Sequence, residues 1–466
     1  MGGDSIPHTS FLLLKSVRYL SHFQDVLKAK TYSLIPQAAD YLKGLYHCTK
    51  KKATCTGMEE HLGERNAQSH NHFISQSHWS WEKLMDKLTL KCYHFFIYFL
   101  GASQKDICLV IDEIGFKKSG KHSACVSRQW LGCLGKQDLG QVAVGALLSY
   151  KSFFSLICAR LFMPESWESD IKRRKKTHIP AEIKHQTKPQ MALDMIKHIE
   201  SLGIKYGWII FDALYGNTLD LLYGLCDLKL RFMAEVKINF HIYLEHPVIE
   251  LPEKKGKKGR KPQKLKADKA AISIKEYCKT LEDIDWTELT IRDGTKKKIT
   301  SLYHRKKIWI WNQNQQERNP LDCYLLLRKS LDGSDLKYCV TNAPADTPLE
   351  ELAYAQGQRF YIEQEFKEGK NQVGMGDYQV RGWDGFHHHI ACSMLALNFI
   401  MEQKHFYKQE MPYITSEDIR KIIITCFPAT PLTKEQQLAN IRKKHDHYQH
   451  QIKMNLARTS NITSVM

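Results

Sequence analysis

Residues 107–112 read ICLVID and residues 208–212 read WIIFD. Each is a short, continuous apolar run that stops at an aspartate, Asp112 in the first and Asp212 in the second. Such runs, rich in Ile, Val and Phe, read as buried strands. After the first come VSRQWLGCLG and GQVAVGALLSY, which read as two further strands, and a basic segment, KRRKKTHIPAEIKHQTKP (172–189). PQMALDMIKHIESLG follows with the spacing of an amphipathic helix and Gly203 as its C-terminal stop. Beyond WIIFD a helix and the strand RFMAEV (231–236) are expected. Strand, helix, strand in this order predicts an α/β fold, a parallel sheet with flanking helices.

Working outward, residues 1–100 carry apolar residues at three- and four-residue spacing and read as helical. Ser77 or Ser80 is the expected N-cap of the segment EKLMDKL. Residues 238–335 break the α/β pattern. They hold polar, alternating pieces such as KKITSLYHRKKIWIWNQ, and the run KKGKKGRKPQKLKADK (254–269), with nine basic residues and one acid. This reads as a β-rich insertion with a solvated basic loop. The chain then returns to a strand, KYCVTN (337–342), a helix from Pro348 to Lys370 and another over 386–402. The tail is polar and basic, with its last ten residues expected to be disordered. Four segments follow: a helical N-terminal region (1–104), a core (105–237 with 336–404), the insertion (238–335) and a basic tail (405–466).

The 466 residues suffice for two or three domains with a large core. Lys and Arg number 68 against 50 Asp and Glu, a net +18, which points to an anionic partner, most often nucleic acid. Thirteen cysteines form no CxxC pair, which removes support for zinc ribbons and thioredoxin-like motifs. With no signal-peptide pattern, reduced thiols in a cytosolic or nuclear compartment are expected. The longest apolar run, CYHFFIYFLGA (92–102), falls short of the roughly 18–20 residues that span a bilayer. It reads as a buried helix end or strand.

The chemistry gathers around RFYIEQEFKEGK (359–370). On a helix, Arg359, Glu363 and Lys370 share one stripe, while Glu365 and Glu368 point elsewhere, at the surface or supporting the site. A solvated face held by i,i+4 pairing accounts for such a stripe as well. Aspartates at the carboxyl ends of neighbouring strands converge, and a crossing helix brings a third acid. Three convergent carboxylates suit Mg²⁺ or Mn²⁺, and two such ions suit phosphoryl displacement. GFKKSGKH (115–122) imitates the phosphate-binding pattern GxxxxGK, but His122 stands where Ser or Thr would bind Mg²⁺. A P-loop nucleotide hydrolase stays open at this point. Consecutive histidines at 387–389 point in three directions on a helix, so packing or phosphate contact is expected rather than one chelated ion.

Several ordered blocks resemble the DDE-type insertion-sequence transposases, in the branch marked by Tyr-x2-Arg-x3-Glu-x6-Lys. Arg359, Glu363 and Lys370 match that signature, with Gln356 at its Tyr position. DEIGFKKSGKHSACVSRQWLGCLGKQDLGQV, WIIFDALYGN and YQVRGWDGFHHHIACSMLALNF resemble further blocks, with Ile114 in place of Thr or Ser and Leu214 in place of Gly. The resemblance covers about residues 36–402. It implies a ribonuclease H-like core interrupted by a β-rich insertion. It implies Mg²⁺-dependent (or Mn²⁺-dependent) cleavage and strand transfer with two ions held by Asp112, Asp212 and Glu363. Arg359, Lys370 and Arg381 would bind DNA. The partners would be the element's terminal inverted repeats and target DNA, with no membrane, and the resemblance allows a homodimer in the DNA complex. The location would be cytoplasmic, on the nucleoid in a bacterium. A DNA-binding descendant that no longer cuts stays open beside the active enzyme.

Overall fold

The computed structural model describes residues 8–48, 52–63, 66–253, 262–293, 298–430 and 432–463. The chain divides into two compact units. One is made of Met1–Trp81 with Glu368–Met466, the other of Glu82–Lys367. This division by compactness follows other boundaries than the four segments expected from sequence.

Among the described residues, the Glu82–Lys367 unit is built on a ten-stranded sheet. Its first six strands are β1 (Cys108–Lys117), β2 (Ser127–Leu131), β3 (Lys136–Tyr150), β4 (Phe153–Leu161), β5 (Trp208–Phe211) and β6 (Phe232–Glu235). Four two-residue strands follow: β7 (His241–Ile242), β8 (Ile249–Glu250), β9 (Lys266–Ala267) and β10 (Ile272–Ser273). The last four are β11 (Thr287–Asp293), β12 (Lys298–Ile310), β13 (Leu321–Ser330) and β14 (Leu336–Thr341). The sheet runs β11-β12-β13-β14-β6-β5-β1-β3-β2, with β4 also paired to β3.

The expected parallel sheet is therefore mixed. Only β1, β5 and β6 run parallel; every other pairing in the sheet is antiparallel. The reason is local. Short connections join β2 to β3 and β3 to β4, and a tight connection returns a strand antiparallel. The sequence reading also passes over FFSLICARL, which is β4. The interrupting region does not stand apart either. Its strands β11 to β13 extend the same sheet through β14, which pairs with β6. The part of the basic run at 254–261 lies outside the described residues.

One irregularity fixes how a helix crosses this sheet. The β3–β4 ladder shifts register between Ala146 and Leu147, leaving Ile157 without a partner across it. The Leu156 N–H donates to Glu365 Oε1 at 3.0 Å, and Thr89 Oγ1 donates to the Ile157 carbonyl at 3.1 Å. Glu365 is 2% exposed. Of the two expectations for it, the surface or support of the site, the surface one is wrong: it is buried as the acceptor that satisfies a bulged strand. Gly145, opposite Asp112 in the β1–β3 ladder, lets the same helix approach. A Cβ there would stand 3.1 Å from the Phe366 ring.

The other unit is helical. The Trp383–Tyr407 helix is buried on almost every side, because its residues are apolar or aromatic all round. The three histidines are packing residues. His387 stacks on Trp81 at 4.0 Å and His388 on Trp79 at 3.9 Å between centroids. Nδ1 of His388 faces the Ile74 carbonyl at 2.9 Å and Nε2 the Trp79 carbonyl at 2.8 Å. His389 Nδ1 accepts from the Tyr41 hydroxyl at 2.8 Å. In the Glu82–Lys367 unit, the run at 92–102 holds the end of the Trp81–Tyr98 helix. The tail holds a helix over Ser416–Cys426 and another over Lys434–Thr463, so it is helical where disorder was expected as far as Thr463. Its Lys, Gln, Leu and Ala content favours a continuous helix. No helix among the described residues is long and apolar enough to cross a membrane.

Candidate active site

β1 pairs in parallel with β5 from Cys108–Trp208 to Ile111–Phe211. Asp112 and Asp212 are the next residues on each chain, so two acids leave neighbouring strands at one level. Asp112 does not end its strand, as its sequence suggested. β1 continues to Lys117 on its pairing with β3 alone. Asp212 does end β5, and caps the short Ala213–Gly216 helix by accepting from the Leu214 N–H at 2.9 Å. Any residue but proline supplies that N–H, and the Leu214 side chain is exposed.

A third acid stands in the same row. β5 pairs in parallel with β6 up to Phe211–Ala234, which places Glu235 beside Asp212. The sequence carried the signal: RFMAE is an apolar run closed by an acid, as ICLVID and WIIFD are. The reading singled out only two of the three.

Arg359 ties these acids to the helix. It lies between the Leu349–Gln358 and Phe360–Gln372 helices, with helical φ and ψ of −56° and −32°. The single helix expected from Pro348 to Lys370 is thus two, nearly continuous. Arg359 Nη1 is 2.9 Å from Glu363 Oε1 and 3.4 Å from Glu235 Oε2, and Nη2 is 3.8 Å from Asp112 Oδ2. The i,i+4 pair is real, but it is no simple solvated face, since the Arg359 side chain is only 19% exposed and reaches strands β1 and β6. Glu363 is the exposed member, at 55% of its side chain. Lys370 lies seven residues on along the same helix and is half-buried. Arg381 is exposed, just ahead of the Trp383–Tyr407 helix.

The charges are strongly coupled. Burial, then the Asp212 carboxylate, push the Asp112 carboxyl up to about 8, while Arg359 and the Glu113 N–H oppose the rise. Glu113 N–H donates to Asp112 Oδ1 at 2.7 Å. Ile114, two residues on, lies on the Asp112 side of the strand and is buried. Burial works against the Arg359 charge, yet Glu235, Asp112, Glu363 and Asp212 together raise it above its ordinary value. On the opposite side of β1, Glu113 pairs with Lys188 Nζ at 2.9 Å and accepts from the Tyr215 hydroxyl at 3.5 Å. Burial, then Glu113, Asp112 and Asp212, hold that phenol protonated.

These donors are hard oxygens, and the buried Asp112 beside the half-buried Asp212 resists ionising, a cost that a divalent ion relieves. Among the described residues no group of three or more His, Cys, Asp or Glu is gathered closely enough to hold an ion. Glu363 is held by Arg359 instead. Gln356, at the signature's Tyr position, is buried and donates to the Cys339 sulfur at 3.2 Å. The loop after GFKKSGK leads into β2 rather than a helix, so it lacks the helix N-terminus that cradles phosphates in a P-loop.

A family model described as DDE superfamily endonuclease matches residues 23–298, a span that contains Asp112, Asp212 and Glu235 and ends before Arg359. A probable transposase for insertion sequence element IS701 of Microchaete diplosiphon is 26% identical over 331 residues, 71% of this chain and 73% of that protein. A cryo-EM structure of a piggyBac transposase synaptic complex with hairpin DNA aligns over 91% of this chain and 81% of its own, with a TM-score of 0.38 and 9% identity.

Proposed function

We propose, from the premise that this chain belongs to the DDE superfamily endonucleases, that it is the transposase of an insertion sequence. It cuts and transfers DNA strands at the ends of the element in a metal-dependent reaction. The observation that carries this reading is the level exit of Asp112 and Asp212 from parallel neighbours, with Arg359 linking Asp112 to Glu363. Arg359, Glu363 and Lys370 at the signature's spacing, with Gln356 in its Tyr position, support the Tyr-x2-Arg-x3-Glu-x6-Lys branch.

In this reading residues 105–237 and 336–404 form a ribonuclease H-like core. The order β4-β3-β1-β5-β6, antiparallel and then parallel, supports that assignment. Residues 238–335 are its insertion, 1–104 a DNA-binding region and 405–466 a basic tail. Asp112, Asp212 and Glu363 would hold two Mg²⁺ or Mn²⁺ ions. Bound there, the ions would activate the attacking oxygen and stabilise the leaving oxygen of an in-line displacement at phosphorus. The chain's own part is to exclude water from Asp112, to keep two carboxylates level, and to present cations to the DNA. Arg359, Lys370 and Arg381 contact phosphates, which position a duplex without reading its sequence. The net +18 charge serves the same partner. The protein acts in the cytoplasm, on the nucleoid in a bacterial host, and as a homodimer on paired element ends.

The test is cleavage of a fragment carrying the element's own terminal repeat, with and without Mg²⁺. The unaltered protein should nick it only with the metal. Asp112→Asn, Asp212→Asn and Glu363→Gln should each abolish nicking while retaining binding. Binding by the unaltered protein without any nicking would replace this reading with the silent DNA-binding descendant.

A further inference from the structure

We infer that Glu235 is a positioning residue for the same reaction: it anchors the Arg359 guanidinium when the other acids are committed to metal. The inference rests on the transposase reading for what Arg359 does, and on geometry for what holds it.

Three carboxylates surround Arg359, and they are not equivalent. Asp112 is 3.8 Å away, an ion pair without a hydrogen bond. Glu363 makes the shortest contact, 2.9 Å, but its side chain is 55% exposed. Glu235 lies 3.4 Å from Nη1 with 17% of its side chain exposed, and it closes a strand paired on both sides, by β5 and β14. Glu235 is thus the partner fixed by the sheet, whereas Glu363 hangs from a helix face. Asp112 and Glu363 are also the acids assigned to metal. A carboxylate that coordinates a divalent ion has less charge left for a guanidinium, so Glu235 alone keeps its full attraction for Arg359. An arginine that grips a phosphate needs a fixed fork, because its planar donors bind only in one orientation. Without Glu235, the guanidinium would shift onto Asp112 and Glu363 and compete with the metal there.

The cycle of Glu235→Gln, Arg359→Ala and the double variant separates this role from others. Glutamine keeps the shape and removes the charge. Two quantities are read: cleavage kinetics on the terminal fragment, and Mn²⁺ affinity of the DNA-free protein by calorimetry. Glu235→Gln should lower kcat by about 10–100-fold with KM for DNA nearly unchanged, and should weaken Mn²⁺ binding several-fold. In the Arg359→Ala background it should change neither quantity. An equal effect of Glu235→Gln with or without Arg359 would make Glu235 a metal ligand or a structural residue and overturn the inference. So would a Glu235→Gln protein that behaves like the unaltered one. Melting curves identify a misfolded variant, and Glu235→Asp, shorter but charged, should then recover part of kcat. If the unaltered protein neither cleaves nor binds Mn²⁺, the transposase reading itself has failed.

Discussion

Replacing Asp112 with asparagine should stabilise the metal-free protein at pH 8 and leave it unchanged near pH 4. In the folded protein burial and Asp212 push this carboxyl up to about 8. In the unfolded chain it returns to about 4. Between those values the folded state keeps a proton that the unfolded state has lost. Stability therefore falls as pH rises from about 4 to 8, and levels off above. The rise from 3.8 to about 8 is worth at most about 6 kcal/mol, at ~1.4 kcal/mol per pH unit. Water and Arg359 adjust around a side chain 13% exposed, which reduces the effect to about 2–3 kcal/mol. A unit the size of Glu82–Lys367, about 290 residues, has an unfolding entropy of roughly 0.6 kcal/mol/K. The variant should then melt about 4 °C higher at pH 8 and at the same temperature at pH 4. Circular dichroism melts from pH 4 to 9 in chelator measure this, and the difference between the two proteins cancels groups common to both. Added Mg²⁺ should raise the melting temperature of the unaltered protein more than that of the variant. A variant less stable at pH 8, or a gap that does not change with pH, would refute the picture of a buried Asp112 carboxyl repelled by Asp212.

Glu365→Ala should cost about 1–3 kcal/mol by leaving the Leu156 N–H without this acceptor, whereas Glu365→Gln keeps an acceptor and should lose less; chemical denaturation compares them. Gly145→Val should drive a side chain into Phe366, destabilise the unit by about 1–3 kcal/mol and abolish cleavage by lifting the Glu363 helix. Gly145→Ala should do so more weakly. His388→Phe keeps a ring on Trp79 but removes the ring nitrogens that face the Ile74 and Trp79 carbonyls, for a loss of about 1–3 kcal/mol in the same measurement.

The sequence by itself determined which apolar strands carry the acids and which helical segment carries the cations. ICLVID and WIIFD state the strand and its acid together, because a buried strand is a run of apolar residues and a charge interrupts it; at Asp212 the strand stops there, whereas at Asp112 pairing with β3 carries it on to Lys117. The four-residue step from Arg359 to Glu363 states a contact, because helix geometry is local. Strand direction is not local. Nothing in FFSLICARL or KYCVTN says which neighbour it pairs with or which way it runs, so the antiparallel extension of the sheet came only with the tertiary structure. Glu235 and Glu365 show the same limit. RFMAE carries the strand-and-acid pattern, but only parallel pairing with β5 sets Glu235 beside Asp212 and under Arg359. Helical angles placed Glu365 away from the stripe, and that holds. They could not say that a bulged strand waits on that other side, with an N–H in need of a carboxylate.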